Sequence, residues 1–245
     1  MNVFGLIGYP LTHSFSKNYF TEKFQKEGIR DCVYENFPIE NIRYLTDLLQ
    51  NHPDLKGLNV TIPYKEQVIP FLDERDEIVE ATGACNCIKI DNGKLKGFNT
   101  DVTGFENSLK KNLQPHHTKA LILGKGGAAK AVAYVLQKLG IDYVFVSRRK
   151  EDGNTISYHQ LTIEFLQTHL LLINTTPLGM FPKTEDCPDI AYDYLTPQHH
   201  LYDLVYNPAK TLFLQKGEEK GSTIQNGYEM LLLQAEESWK IWNNL

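Results

Sequence analysis

Long apolar runs are missing from this 245-residue sequence. None approaches the 18 or so residues that cross a bilayer, which excludes a helical membrane span. Met1-Asn2-Val3-Phe4-Gly5-Leu6-Ile7-Gly8 also lacks the basic opening of a secretory signal, so a cytoplasmic protein is expected. Charge of one sign is scarce too: 25 Lys and Arg stand against 30 Asp and Glu, a net −5 with histidine neutral. That mild acidity argues against a chain whose main work is coating nucleic acid or an anionic membrane. Cysteine is limited to Cys32, Cys85, Cys87 and Cys187. Cys85 and Cys87 fall in one apparent strand and are expected to point apart, unable to share a metal, so buried reduced thiols are the reading. The pairs His116-His117 and His199-His200 lie in polar connecting segments without ligand spacing and read as surface residues. No metal site is expected, and there is no internal repeat or low-complexity segment.

What remains is an ordinary globular composition. Apolar residues make up 42% and charged residues 22%, enough for a substantial core, and the length suits one large domain or two modest ones. Short apolar runs alternate with helical patterns, the mark of βαβ units around a mostly parallel sheet. Strands are predicted at Val3 to Ile7, Cys32 to Phe37 and Gly57 to Thr61. Helices are predicted from Phe15 to a stop at Gly28, across Ile39 to Leu49, and from near Tyr64. Ala84 to Ile90 and Leu95 to Phe98 flank Asp91-Asn92-Gly93-Lys94, whose Asn-Gly pair suits a tight hairpin turn. A helix follows Thr100-Asp101, and Asn112 to Lys119 reads as a polar connector. Beyond it come strands at Ala120 to Leu123, Tyr143 to Val146, Leu170 to Ile173, Leu201 to Val205 and Thr223 to Gln225. A helix runs from Lys130 to Leu139. The last helix carries Tyr228, Leu231, Leu232, Ala235, Trp239 and Trp242 on one stripe.

Between the run at 120–123 and the next helix lies Gly124-Lys125-Gly126-Gly127-Ala128-Ala129. A strand, a Gly-x-Gly-x-x-Ala turn and a helix in that order form a dinucleotide-binding unit, with small residues letting a pyrophosphate approach the helix N-terminus. The same pattern also serves as a plain structural turn. The end of the next strand discriminates between cofactors: an acid there accepts from the ribose 2′-hydroxyl of NAD, whereas arginine suits the 2′-phosphate of NADP. Here it reads Ser147-Arg148-Arg149-Lys150, which favours NADP, although Glu151 and Asp152 leave some use of NAD open.

Four polar groups in the first half sit where strands join their connecting segments: His13-Ser14-Phe15-Ser16, Asn59 to Lys65, Ala84-Cys85-Asn86 and Asn99-Thr100-Asp101. Such positions converge on ligands in open α/β sheets. Each also has a plain reading. Ser14 or Ser16 caps a helix, Asp101 caps the next one, Lys65 is a surface lysine on a first helical turn, and Asn86 satisfies backbone beside the hairpin.

Taken together and in order, these segments resemble the shikimate dehydrogenase family over nearly the whole chain. Gly8-Tyr9-Pro10-Leu11-Thr12-His13-Ser14-Phe15-Ser16, Asn59 to Glu66, Gly83-Ala84-Cys85-Asn86 and Asn99-Thr100-Asp101-Val102-Thr103-Gly104 match family segments. So do Asn174 to Met180, Asp203 to Pro208 and Asn226 to Gln234. The resemblance implies reversible NADPH-dependent reduction of 3-dehydroshikimate to shikimate on the route to chorismate and the aromatic amino acids, by Lys65 and Asp101. It implies substrate contacts from Ser14, Ser16, Asn59, Thr61, Asn86, Tyr206 and Gln234. NADP(H) would be held by Gly124, Gly126, Gly127, Ala128, Ser147, Arg148, Arg149, Thr175, Met180, Leu204 and Gly227.

The implied architecture is α/β with two domains and a deep cleft between them. Residues 1–102 would form a substrate domain with a mostly parallel sheet, to which the helix 227–245 returns, and 103–226 a Rossmann-like NADP domain. The implied partner is a small-molecule substrate, with no nucleic acid and no membrane, in a monomer or homodimer. Departures from the family pattern include Lys17 in place of proline, Cys87 in place of threonine, Lys130 in place of arginine and Leu212 after Thr211 in place of proline. Ser147-Arg148-Arg149 replaces an Asn-Arg-Thr cluster. Two other readings stand beside this one: a quinate/shikimate dehydrogenase that uses NAD, and a ligand-sensing module of the same fold without catalysis. Lys65, Asp101 and the intact glycine turn weigh against the sensor, which needs no hydride machinery.

Overall fold

The described residues build two six-stranded sheets packed against helices. The computed structural model describes residues 1–11, 15–148 and 153–245. It divides into two compact units, Met1–Thr100 with Ala235–Leu245, and Asp101–Gln234.

In the first unit, β1 (Asn2–Gly8), α1 (Phe15–Lys26), β2 (Cys32–Pro38), α2 (Leu45–Asn51) and β3 (Leu55–Val60) form parallel crossovers. Then come β4 (Glu74–Arg75), α3 (Glu77–Thr82) and the hairpin β5 (Cys87–Asp91) and β6 (Lys94–Phe98). The sheet order is β2-β1-β3-β5-β6-β4, and β5 runs antiparallel to both neighbours. At the hairpin Asn92 and Gly93 take φ of 50° and 78°, the left-handed pair that a two-residue turn demands.

The two faces of this sheet are separated by strand alternation. Val3 and Ile7 join Leu58, Val60 and Ile88 on one side; Phe4 and Leu6 join Phe20, Phe24, Trp239 and Trp242 on the other. Gly57 of β3 lies directly under the indole of Trp242, where a side chain would overlap the ring. Trp242 in turn donates its indole N–H to the Ile88 carbonyl at 3.0 Å. Cys85 and Cys87 do enter opposite cores. Two residues apart on a regular strand they would share a face, so the separation comes from β5 starting only at Cys87.

No α-helix begins at Tyr64. Residues 62–68 form successive turns and a short 3₁₀ turn covers Ile69–Phe71. One helical bond forms, from the Val68 N–H to the Tyr64 carbonyl. Pro70 then lacks the N–H that would continue the ladder, and its ring disfavours the α conformation at Ile69.

The second unit contains α4 (whose helix spans Thr100–Leu109), β7 (Lys119–Leu123), α5 (Gly127–Lys138), β8 (Asp142–Ser147), β9 (Thr155–Ser157) and α6 (Ile163–Thr168). It continues with β10 (Leu171–Asn174), β11 (His200–Asp203), α7 (Leu212–Glu219), β12 (Thr223–Gln225) and the first part of α8 (Tyr228–Asn243). Every pairing is parallel and the order is β12-β11-β10-β7-β8-β9. This is the doubly wound arrangement, and its direction reverses between β7 and β10, where ligands bind beyond the strand ends.

The histidine pairs correct the sequence reading. His116 is exposed, but His117, His199 and His200 are buried. His117 and His199 each bridge backbone through both ring nitrogens, to residue 114 and Gln198 and to Thr196 and Leu166 respectively. His200 stacks against His117, with centroids 5.9 Å apart, and bonds the Thr223 hydroxyl. Burial holds all three below the ordinary imidazole range, His200 down to about 4. They are neutral packing and capping groups.

Candidate active site

In the first unit a chain of buried hydrogen bonds joins several of the sequence-predicted residues. Ser16, in the first turn of α1, bonds the Tyr34 hydroxyl. Tyr34 donates to Asn59 Oδ1 at 2.8 Å, and burial pushes its phenol well above the ordinary range. Asn59 Nδ2 donates to the Asn86 carbonyl and to Ser238 Oγ of α8 at 3.3 and 2.9 Å. Because a carbonyl can only accept, the orientation of this amide is fixed. Ser238 also lies 3.2 Å from Thr100 Oγ1. Asn86 Oδ1 accepts the Thr100 N–H at 2.7 Å and its Nδ2 donates to Thr100 Oγ1 at 3.0 Å.

Asn86 thus holds the start of α4, much as its plain reading anticipated. Thr61 follows β3, its N–H bonded to the Ile7 carbonyl. Lys65 is half-buried on the run of turns, and its carbonyl accepts the Cys85 N–H at 2.8 Å. Ser14 lies outside the described residues.

Asp101 directly follows Thr100 and is buried in the first turn of α4, so it is a helical residue and not the cap. One turn further on, Gly104 meets α8. A Cβ there would stand 2.6 Å from the Met230 carbonyl and 3.1 Å from Gln234 Cβ. Residues three apart share a helix face, which brings Asp101 and the buried Gln234 to one corner of the second unit. Tyr206 is exposed in the loop after β11, and the partial burial of its ring raises its phenol.

The predicted nucleotide turn forms at the reversal point of the second sheet. Gly124 leaves β7 with φ of +108°, a conformation that favours glycine, against the Thr175 hydroxyl, where a Cβ would stand at 2.7 Å. Thr175 bonds the Leu123 carbonyl through both N–H and hydroxyl, at 2.9 and 2.8 Å. Gly126 is the N-cap of α5 and makes no side-chain cap bond, and a Cβ placed there would meet nothing within 4 Å. Gly127 and Ala128 open the helix, with no acid in its first turn. Backbone N–H groups at a helix start, open space and no acid in the first turn fit the pyrophosphate of a dinucleotide. Ser147 ends β8 and Arg148 follows, exposed; Arg149 lies outside the described residues.

Sequence reading missed the group that ties the neighbouring loops together. Asp203 is fully buried at the end of β11. Its Oδ1 accepts from Asn174 Nδ2 and the Val205 N–H at 2.9 and 3.0 Å, and its Oδ2 from the Thr211 hydroxyl at 2.5 Å. Asn174 in turn holds Thr176 through both N–H and hydroxyl. One carboxylate therefore pins the segments carrying Thr175, Met180 and Leu204, and burial pushes it up to about 6 against three donors that lower it. Met180 is half-exposed beyond Gly179, and Gly227 sits so close to the Leu204 carbonyl that no side chain fits. In the sequence Asp203 stands inside the apolar stretch Leu201 to Val205, and a single acid in such a run does not by itself announce a network of donors.

Comparison with known proteins places this geometry. The profile of the shikimate dehydrogenase substrate binding domain matches residues 6–88. The chain is 38% identical over 253 residues to a shikimate dehydrogenase (NADP(+)) of Caldicellulosiruptor saccharolyticus, covering 97% of this chain and 90% of the relative. It is similar in structure to a Thermus thermophilus shikimate 5-dehydrogenase solved with NADP(H) and shikimate, with TM-score 0.89 and 28% identity over 100% of this chain and 94% of that one. A quinate dehydrogenase of Corynebacterium glutamicum solved with NAD is similar at TM-score 0.88 and 26% identity, over 100% and 94%.

Proposed function

The chain belongs to the shikimate dehydrogenase family, and on that premise we propose that it reversibly reduces 3-dehydroshikimate to shikimate with NADPH. It is an NADP-dependent oxidoreductase. The observation that carries the reading is the parallel sheet with its glycine turn at the reversal point, joined in one chain to the substrate-domain match over residues 6–88.

The nicotinamide supplies the hydride. The chain's residues supply position and charge. We assign the proton traffic to Lys65 and Asp101: a lysine ammonium stabilises the oxygen that becomes negative as the ketone is reduced and delivers a proton to it. Asp101 orients the ammonium and shares the proton. Ser14 and Ser16 are assigned to the substrate carboxylate, and Asn59, Thr61, Asn86, Tyr206 and Gln234 to its hydroxyls and ring substituents. Gly124, Gly126, Gly127, Ala128, Thr175, Met180, Leu204 and Gly227 are assigned to the dinucleotide, with Ser147, Arg148 and Arg149 at its 2′-phosphate. Four free cysteines, two of them buried, suit a reducing compartment, and we assign the enzyme to the cytoplasm.

The test is oxidation of shikimate by purified protein with NADP⁺ or NAD⁺, followed by absorbance of the reduced nicotinamide and repeated with quinate. Shikimate oxidation with a strong preference for NADP⁺ and no quinate turnover is expected. Quinate oxidation with NAD⁺ at comparable rates would favour the alternative dehydrogenase, and silence with every pair would favour the sensor. In the same assay Lys65→Ala lowers kcat by about 10²–10⁴-fold with KM for shikimate nearly unchanged. An unaltered kcat removes Lys65 from the mechanism.

A further inference from the structure

Lys125 occupies the middle of the nucleotide turn, and nothing in the turn's backbone calls for a lysine. Gly124 provides the left-handed step and Gly126 the open cap, while Lys125 itself is exposed. Its charge runs against the helix it precedes. The N-terminus of α5 carries the positive end of the helix dipole, which disfavours cations and welcomes acids. Yet the first turn has no acid, and Lys125 and Lys130 bracket it. That inverted pattern suits a helix start that works with an anion bound.

The side chain also has a direction. Lys125 Nζ lies over the ring of Phe145, 6.0 Å from its centroid. Phe145 is on β8, paired with Ile122 of the adjacent β7, and two residues before Ser147, so the two share a strand face. The ammonium therefore leans from the turn toward the strand whose end carries Ser147 and Arg148. In doubly wound dinucleotide folds the end of that second strand meets the 2′-position of the adenosine ribose. A separation of 6.0 Å is at the outer edge of cation–π attraction, weaker than pairing with a phosphate dianion.

We propose that Lys125 is a second cation for the 2′-phosphate of NADP(H), acting beside Arg148 to set the preference for NADP over NAD. This rests on the cofactor reading above and adds a specificity-determining residue to it. The pyrophosphate, common to both cofactors, is the competing target, and it predicts no discrimination.

The experiment is calorimetric titration of the free enzyme with NADP⁺, NAD⁺ and 2′,5′-ADP, for the wild type, Lys125→Met, Lys125→Arg and Arg148→Met. Lys125→Met is expected to weaken NADP⁺ and 2′,5′-ADP by about tenfold, the loss of one charge-assisted contact, while NAD⁺ changes less than about twofold. Lys125→Arg should retain most of the NADP⁺ affinity. Equal losses for NADP⁺ and NAD⁺ would place Lys125 on the pyrophosphate and overturn the proposal, as would unchanged affinity for all three ligands. Should the wild type itself bind NADP⁺ and NAD⁺ alike, the cofactor preference falls and the proposal with it. Discrimination that survives in Lys125→Met but vanishes in Arg148→Met removes Lys125 alone. Thermal melting of each variant checks that the exposed substitutions leave the fold intact.

Discussion

Asp203 shows how much one buried carboxylate can organise. Its three donors come from the end of β10, the loop after β11 and the cap of α7, since Thr211 both donates to Asp203 and accepts the Leu214 N–H. Its acidity, moved up to about 6, has a definite sign for stability. Between the ordinary aspartate value and 6 the folded state holds the proton more tightly than the unfolded chain. The contribution of this group is therefore full below about pH 4 and declines as pH rises through 6. Asp203→Asn keeps the shape, and the Thr211 hydroxyl can turn to accept. Denaturant unfolding should show the stability difference shifting in favour of Asp203→Asn between pH 4 and 6, then holding constant. Asp203→Ala instead orphans three donors and should cost about 3 kcal/mol at pH 7. A flat difference for Asp203→Asn across that range would contradict the sign. At this scale the sequence was legible where chemistry repeats a known local pattern. Asn92-Gly93 and Gly124 were found because their backbone needs are visible in residue type. Asp203 and the buried histidines were not, because burial is decided by segments far away in sequence.

Elements were readable in proportion to their length and periodicity. The long helix α8 and the apolar strands β1 and β7 were found within a residue or two. Short ones escaped: β4 and β9 have two and three residues, too few for a period. Helix α3 spans six residues, yet its capping is plain in retrospect, with Asp76 accepting from the Val79 N–H and Gly83 ending it at φ 61°. Helix α7 hides behind Gly217, which reads as a breaker; a Cβ there would collide with Leu201, so the glycine lets the helix lie on β11. The same logic of close approach gives a test at β3. Gly57→Ala drives a methyl into the Trp242 indole, which is already stacked on Phe4 at 4.9 Å and bonded to Ile88. Overpacking of this kind costs about 1–3 kcal/mol. Chemical denaturation followed by tryptophan fluorescence should register that loss, and an unchanged midpoint would mean α8 is not seated on β3 in solution.

Across the molecule, fold class and family were legible because the motifs come in sequence order; the chain divides at Thr100 and again at Gln234, against expected boundaries at 102 and 227. The sequence placed the returning helix from 227; the first unit takes up the chain again only at Ala235, inside α8. The second unit carries a pH signature of its own. His117, His169, His199 and His200 are all held below the ordinary imidazole value by burial. A depressed imidazole stabilises the fold fully above about pH 6.5, and the benefit is lost as pH falls toward the folded value, about 4 for His200. Melting temperature should therefore drop between pH 7 and pH 5, opposite in sign to the Asp203 effect. His200→Phe should soften that drop, and a slope identical to wild type would exclude His200 as a contributor.

The first unit also borrows from both ends of the polypeptide: Trp239 and Trp242 cover Phe4, Phe20 and Phe24 on one face of its sheet. When the first hundred residues have been joined, all six strands of that sheet exist with the aromatic face still bare. The nascent sheet must wait, sticky and available to chaperones, through the synthesis of the entire second unit before its own lid is translated.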